Sequence, residues 1–162
     1  MTYNDIEIAV VHLFGVRQHI ILPNLSWAIL NSREADLVIL KPSGHCTEIE
    51  IKQSFSDFKA DFKKRHRKPG YSETFFRQLY YAIPNALTEK VMPLLPGHAG
   101  LIIVHDVDNP YAQIKKKAPV NKEALPRTTE QQFNIMRLAC MRLWTAKEQV
   151  NSLRKINKQW KK

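Results

Sequence analysis

Cysteine, glycine and acid are what this chain has little of. Its two cysteines, Cys46 and Cys140, stand far apart with no Cys-x-x-Cys pair, which argues against a structural zinc or a disulfide framework. Its five glycines are scattered singly, so no glycine-rich loop is present to cradle a nucleotide triphosphate. The six histidines show no His-Glu-x-x-His spacing, and no Ser-His-Asp arrangement can be assembled. Apolar runs such as Ala99-Gly100-Leu101-Ile102-Ile103-Val104 are far too short to span a bilayer. The opening Met1-Thr2-Tyr3-Asn4-Asp5 lacks the basic start of a secretory leader. Together these absences predict a cytoplasmic protein with no membrane partner.

The shortage of acid is a matter of distribution as well as number. Lys and Arg total 25 against 15 Asp and Glu, a net charge of +10. The excess lies in blocks: Lys63-Lys64-Arg65-His66-Arg67-Lys68, Lys115-Lys116-Lys117, and a tail with Arg154, Lys155, Lys158, Lys161 and Lys162. Such blocks concentrate polyanions, of which nucleic acid is the commonest, and binding would be salt-dependent. Basic runs also serve solubility alone, so charge does not decide between the two.

With 162 residues, 44% of them hydrophobic and 25% charged, the composition is that of one globular domain. The expectation is a single domain over residues 1–162, with its core in about 1–120 and a helical extension over about 128–158. Asn4, with Glu7 three residues on, is read as the cap of a first helix whose Ile6, Ala9, Val10, Leu13 and Phe14 recur at helical spacing before Gly15. A short strand is expected over Leu25–Leu30 and another over Ala35–Lys41. After a turn at Pro42-Ser43-Gly44, Cys46–Lys52 returns antiparallel. Ser54 caps a helix with Phe55, Phe58 and Phe62 on one stripe and Lys59, Lys63 and Arg67 on another. Strands follow at Leu79–Ile83 and Leu101–Val104, with a short helix near Ala86–Met92 between them. A long helix begins at Thr128 or Thr129, with an apolar stripe including Phe133, Met136, Leu143 and Trp144 that could pair two copies as a homodimer. The fold class is α/β, a mixed central sheet flanked by helices.

One cluster carries chemistry. In the return strand side chains alternate, so Glu48, Glu50 and Lys52 share a face and Ile49 and Ile51 take the other. The turn sets residue 36 opposite roughly residue 51, which brings Asp36 and Glu50 together. Two carboxylates suit a hard cation such as Mg²⁺, which keeps water and substrate phosphate as its remaining ligands. A lysine beside them would steady the attacking water and the charge gathering on phosphorus. The competing reading of an E-x-K is a charged pair on a solvated sheet face, worth little to stability.

Asp36, Glu50 and Lys52 fit the motif of the PD-(D/E)XK, or restriction-endonuclease-like, nuclease superfamily. Glu34-Ala35-Asp36-Leu37-Val38-Ile39, then Thr47-Glu48-Ile49-Glu50-Ile51-Lys52-Gln53-Ser54, Asp57-Phe58, Asp61 and Tyr80-Tyr81-Ala82-Ile83-Pro84 resemble the MmcB-type DNA-repair family and its phage and bacterial relatives, from about Pro23 to Val104. The resemblance implies a restriction-endonuclease-like core and a DNA nuclease, endonuclease favoured, acting in repair, recombination or phage DNA processing. It implies Mg²⁺ or Mn²⁺ held by Asp36 and Glu50 with the backbone carbonyl of Ile51, a further carboxylate from Glu7, and Lys52 as catalytic lysine. The aspartate follows Ala35 where the motif name has proline, and Gln78-Leu79-Tyr80-Tyr81 falls one residue short of the Q-x-x-x-Y of the RecB-like branch. DNA would be held by Lys59, Lys63, Lys64, Arg65, Arg67 and Lys68. Glu34 and Gln53 are accessory candidates. Glu48 is read as a solvated surface charge, Asp57 as a first-turn acid stabilised by the helix dipole, and His105, Asp106 and Asp108 as a polar loop. The alternative function is a module that keeps the nuclease fold and binds nucleic acid without cutting it.

Overall fold

The computed structural model describes residues 1–25, 34–62 and 74–159. They form two compact units that divide between Thr128 and Thr129.

The first unit is a six-stranded sheet whose spatial order equals its chain order. Helix α1 (Tyr3–Phe14) precedes β1 (Ile20–Leu25), β2 (Ala35–Leu40) and β3 (Cys46–Ile51), which pair antiparallel in succession. Helix α2 (Phe55–Asp61) follows, then β4 (Phe76–Pro84), parallel to β3. A one-turn helix, α3 (Thr88–Val91), flanked by 3₁₀ turns, leads to β5 (Ala99–His105), parallel to β4. Strand β6 (Tyr111–Lys116) closes the sheet antiparallel to β5. The sheet is therefore mixed and the class α/β.

Both faces are covered, which is why β3 is buried at every position. On one face Ile6, Ala9 and Val10 of α1 pack on Leu37, Ile39, Ile49, Ile51, Tyr80, Ala82, Ile102 and Val104. On the other, Phe58 of α2 and Val91 of α3 pack on Leu79, Tyr81, Ile83, Leu101 and Ile103. The sheet needs close approach at Gly100: a Cβ there would lie 2.5 Å from the Ala118 backbone nitrogen and 2.5 Å from the Tyr80 ring.

Several elements differ from expectation for local reasons. Thr2, not Asn4, caps α1: its hydroxyl accepts from the Asp5 N–H at 3.2 Å, and the Asp5 carboxylate accepts from the Thr2 N–H at 2.7 Å. Glu7 is thereby released from any capping role. Gly15 ends the helix at φ 78°, its N–H donating to the Val11 carbonyl at 2.9 Å. The first strand lies at Ile20–Leu25; most of the stretch expected for it, residues 26–30, is outside the described residues. Strand β4 starts at Phe76, three residues early, and β6 was not anticipated. Its Tyr-Ala-Gln-Ile-Lys-Lys alternates exposed and half-buried positions as an outer strand does.

The second unit is one helix, α4 (Thr129–Gln159). It exposes Phe133, Leu143, Trp144 and Leu153. No helix among the described residues is long and apolar enough to cross a membrane.

Candidate functional site

Strands β2 and β3 bring the predicted acids together. The pair Leu37↔Ile49, continued by one residue, sets Asp36 against Glu50, one position from the expected register. Leu37, Ile39, Ile49 and Ile51 all face α1, so by alternation Asp36 and Glu50 face the α2 side. Lys52 lies one residue past β3, its N–H donating to the Ala82 carbonyl at 2.9 Å. That bond extends the parallel pairing with β4 and holds the lysine backbone where the strand ends.

The Lys52 ammonium is the centre of the cluster. It donates to Glu50 Oε2 at 2.7 Å and lies 3.4 Å from Asp61 Oδ1 and 3.6 Å from Asp36 Oδ2. Glu50 and Asp61 are fully buried, whereas the Asp36 side chain is 28% exposed and forms the open side. Asp36 Oδ2 also accepts from the Ile51 N–H at 2.8 Å, which aims the carboxylate at the end of β3. Asp61 Oδ2 accepts from the Tyr81 hydroxyl at 2.7 Å. The Tyr81 ring stacks edge-on with Phe58 at 5.0 Å, and Phe58 with Phe62 at 4.9 Å. An aromatic ladder on α2 and β4 therefore anchors the hydroxyl that positions Asp61.

The electrostatics are strongly acidic. Burial would drive the Lys52 ammonium below the ordinary lysine value, but the charge and hydrogen bond of Glu50, then Asp36 and Asp61, reverse this and raise it. Burial, then Asp36, pushes the Glu7 carboxyl up. The Tyr3 phenol is raised by burial and then by Asp36, Glu7, Glu50 and Glu34. Glu7 and the Tyr3 phenol, both on α1, thus feel the negative field of carboxylates at the start of β2 and the end of β3.

The sequence candidates divide accordingly. Asp36, Glu50 and Lys52 converge. Ile51 is buried beside them and gives its N–H to Asp36. Glu7 is half-buried at the margin, and its Oε1 has no hydrogen-bond partner among the described residues. Glu34 and Gln53 are exposed. Lys59 is exposed on α2, its ammonium 5.4 Å from the Phe55 ring centroid. Lys63, Lys64, Arg65, Arg67 and Lys68 lie outside the described residues. The surface reading of Glu48 is corrected: it is 1% exposed, because α2 and α3 cover the face that alternation alone left open. Asp57 is in the first turn of α2, its N–H donating to the Ser54 hydroxyl at 3.1 Å. His105 stacks on Tyr111 at 4.5 Å.

Asp61, Tyr81 and Tyr3 belong to the site without having been assigned to it. Asp61 sits seven residues after the cap of a short helix, and nothing local distinguishes it from an exposed helical acid.

Among the described residues no group of three or more His, Cys, Asp or Glu is placed to hold a metal ion. Asp36 and Glu50 nevertheless reach one cation position, the Lys52 ammonium, with hard oxygen donors. Mg²⁺ needs no more than two protein carboxylates when water and a phosphate complete its shell, so the donor set fits such an ion.

Comparison with known proteins agrees with this layout at the level of fold and family. No match was found among curated proteins. The solved structure of SPO1766, a protein of unknown function from Silicibacter pomeroyi, is similar in fold, with a TM-score of 0.63 at 21% identity over 97% of this chain and 94% of that one. The family model described as DNA repair protein MmcB-like matches residues 2–150, the sheet, the carboxylate–lysine cluster and two thirds of α4. The chain therefore belongs to the MmcB-like family of DNA repair proteins.

Proposed function

We propose that this protein hydrolyses phosphodiester bonds in DNA at the Asp36–Glu50–Lys52 cluster, with Mg²⁺ or Mn²⁺ as cofactor and the PD-(D/E)XK motif as its chemical core. The observation that carries the reading is the meeting of a β2 aspartate and a β3 Glu-x-Lys at one point, 3.6 and 2.7 Å from the same ammonium. Asp36 and Glu50 are the residues that would hold the ion, and Glu7 on α1 is near enough to Asp36 for their charges to interact. A bound divalent ion supplies a more acidic water and neutralises charge on the phosphoryl oxygens.

The chain's own groups have distinct tasks. Asp36 is the most open of the three carboxylates and meets what arrives. Glu50, buried, keeps Lys52 charged. Lys52 offers a fixed positive charge at the end of β3 to the developing charge of the transition state. Asp61, held by Tyr81, is a positioning residue for that ammonium. Lys59 and the basic block from Lys63 to Lys68 supply backbone affinity without sequence information. Self-pairing through α4 is no part of this reading.

Purified protein is expected to nick duplex or single-stranded DNA only with Mg²⁺ or Mn²⁺, and Asp36→Asn to reduce the rate about a hundredfold or more. Cleavage in excess chelator, or an Asp36→Asn protein with full activity, overturns the proposal. One observation favours a second reading, DNA binding without cleavage: the Lys52 ammonium already meets three carboxylates. That reading expects salt-sensitive DNA binding and no divalent-ion effect on melting. The nuclease reading expects about 2.7 kcal/mol of added stability at a hundred times the ion's Kd.

A further inference from the structure

A second charged cluster, opposite in sign, lies at the other end of β2 and β3. The β2–β3 hairpin is closed by Lys41 and His45, with the Lys41 N–H donating to the His45 carbonyl at 3.0 Å. Gly44, at φ 79°, makes the turn possible, its N–H donating to the Lys41 carbonyl at 2.9 Å. The neighbouring strand is irregular at this level. Cys46 pairs with Phe76, but Thr47 pairs with Gln78, so Arg77 is one residue more than β3 can match. Such a bulge is unusual between parallel strands and re-aims the extra side chain. Here the Arg77 guanidinium is turned onto His45, Nη1 contacting Nε2. A guanidinium can only donate, so the contact is a hydrogen bond when Nε2 is the unprotonated nitrogen of the ring.

Lys41 is held in the same corner. Its ammonium donates to Gln78 Oε1 at 3.1 Å, and Gln78 Nε2 donates to the Ala118 carbonyl at 3.1 Å. The second bond fixes which way the amide points, so its oxygen is always offered to the lysine. Arg127 stands behind, nearly buried, with Nη2 bonded to the Thr74 and Leu125 carbonyls at 3.1 and 2.6 Å and its guanidinium 4.2 Å from the Phe75 ring centroid. Its N–H donates to the Gly44 carbonyl at 2.8 Å, tying it to the hairpin.

Neither Lys41 nor Arg77 forms an ion pair with a carboxylate among the described residues, and both are half-buried. Like charges confined this way disfavour each other: the Lys41 ammonium is lowered by burial and then by Arg77, and His45 likewise. A bulge, an oriented amide and a glycine turn hold these bases together against that repulsion. An anion would relieve that repulsion. Lys41 keeps two N–H donors beyond the one given to Gln78, and Arg77 keeps most of its five, the donor set that grips tetrahedral oxyanions.

We propose that Lys41, His45 and Arg77 form a phosphate-binding site, backed by Arg127, at the end of the sheet remote from the carboxylate cluster. The ligand is a phosphate group whose oxygens accept from the Lys41 ammonium and the Arg77 guanidinium. Cys46 to Ile51 spans about 17 Å of strand, so this phosphate and any bound near Asp36 are separate groups. The site does not depend on the nuclease reading, because it needs neither a divalent ion nor cleavage.

The test is a titration of the full chain followed by the ring resonances of His45, assigned with His45→Gln, at constant ionic strength in chloride. Inorganic phosphate is one arm and a short unphosphorylated DNA duplex the other. Saturable movement in both arms, with mutual competition, identifies a backbone phosphate as the occupant; movement with inorganic phosphate alone identifies a small phosphate. In either case the Lys41→Gln/Arg77→Gln protein should bind about tenfold or more weakly. If the double variant fails to fold, Lys41→Gln alone serves, since it loses one charge and one half-buried hydrogen bond. Resonances unmoved in both arms, or variants that titrate like the wild type, overturn the site.

Discussion

Replacing Lys52 by methionine removes the ammonium and keeps most of the stem, so the loss is electrostatic. The side chain is 5% exposed and the facing Glu50 and Asp61 carboxylates are 0% exposed, so water cannot take over the lost role. At 2.7 Å from Glu50 the attraction is about 6 kcal/mol for an effective dielectric constant near 20, before desolvation is counted. Breaking a buried pair from one side costs about 3–5 kcal/mol, because the remaining charge stays uncompensated. For a chain of this size that lowers Tm by roughly 10 °C. The sign of the pH dependence makes the test sharper. In the wild type Lys52 is raised above its ordinary value of 10.5, so its contribution is complete below that pH and is lost only as pH rises beyond it. In Lys52→Met the crowded acids lose their counter-charge, and their folded-state values rise above the unfolded ones. The folded variant then binds extra protons, and part of the deficit is recovered as pH falls from about 8 to about 5. Thermal melts of both proteins across that range decide the matter. A variant that melts within about 2 °C of the wild type near pH 8, or one whose deficit is the same at both ends, refutes a charge-holding role for the lysine.

Tyr81→Phe keeps the ring on Phe58 and removes the donor to Asp61. It should cost about 1–2 kcal/mol in a urea melt, and an unchanged midpoint would show that Asp61 needs no positioning. Gly100→Ala should cost about 3 kcal/mol, because its Cβ meets backbone as well as ring at 2.5 Å; a normal melt would mean that β5 can move away from Ala118. Burial pushes the Cys46 thiol up to about 12, whereas Cys140 is exposed. Iodoacetamide near pH 8 should therefore label the native protein at Cys140 alone, as read by peptide mass, and rapid labelling of Cys46 would show that the sheet opens there.

The sequence carried the centre of the site further than its surroundings. Asp36, Glu50 and Lys52 were legible because a turn residue and strict alternation fix which side chains meet across a hairpin. Their environment was not, since alternation cannot say whether a second face is covered. Glu48 was misjudged for that reason. The cap of α1 was ambiguous because Thr2…Asp5 and Asn4…Glu7 satisfy the same spacing, and only backbone geometry chooses between them. Asp61 and Tyr81 come from elements that meet β3 through packing distant in sequence, where local pattern is silent. The bulge at Arg77 is a mismatch between two strands, a property that neither strand shows alone. Strand β6 was missed because its alternation is diluted by lysine.

That dilution has a consequence of its own. Among the described residues β6 has no sheet neighbour on its outer side, and such a border invites another chain to add itself. Lys115, Lys116 and Lys117 stand at the end of that border. Neutralising the three lysines is expected to make concentrated protein prone to edge-to-edge polymerisation, which light scattering against the wild type would read.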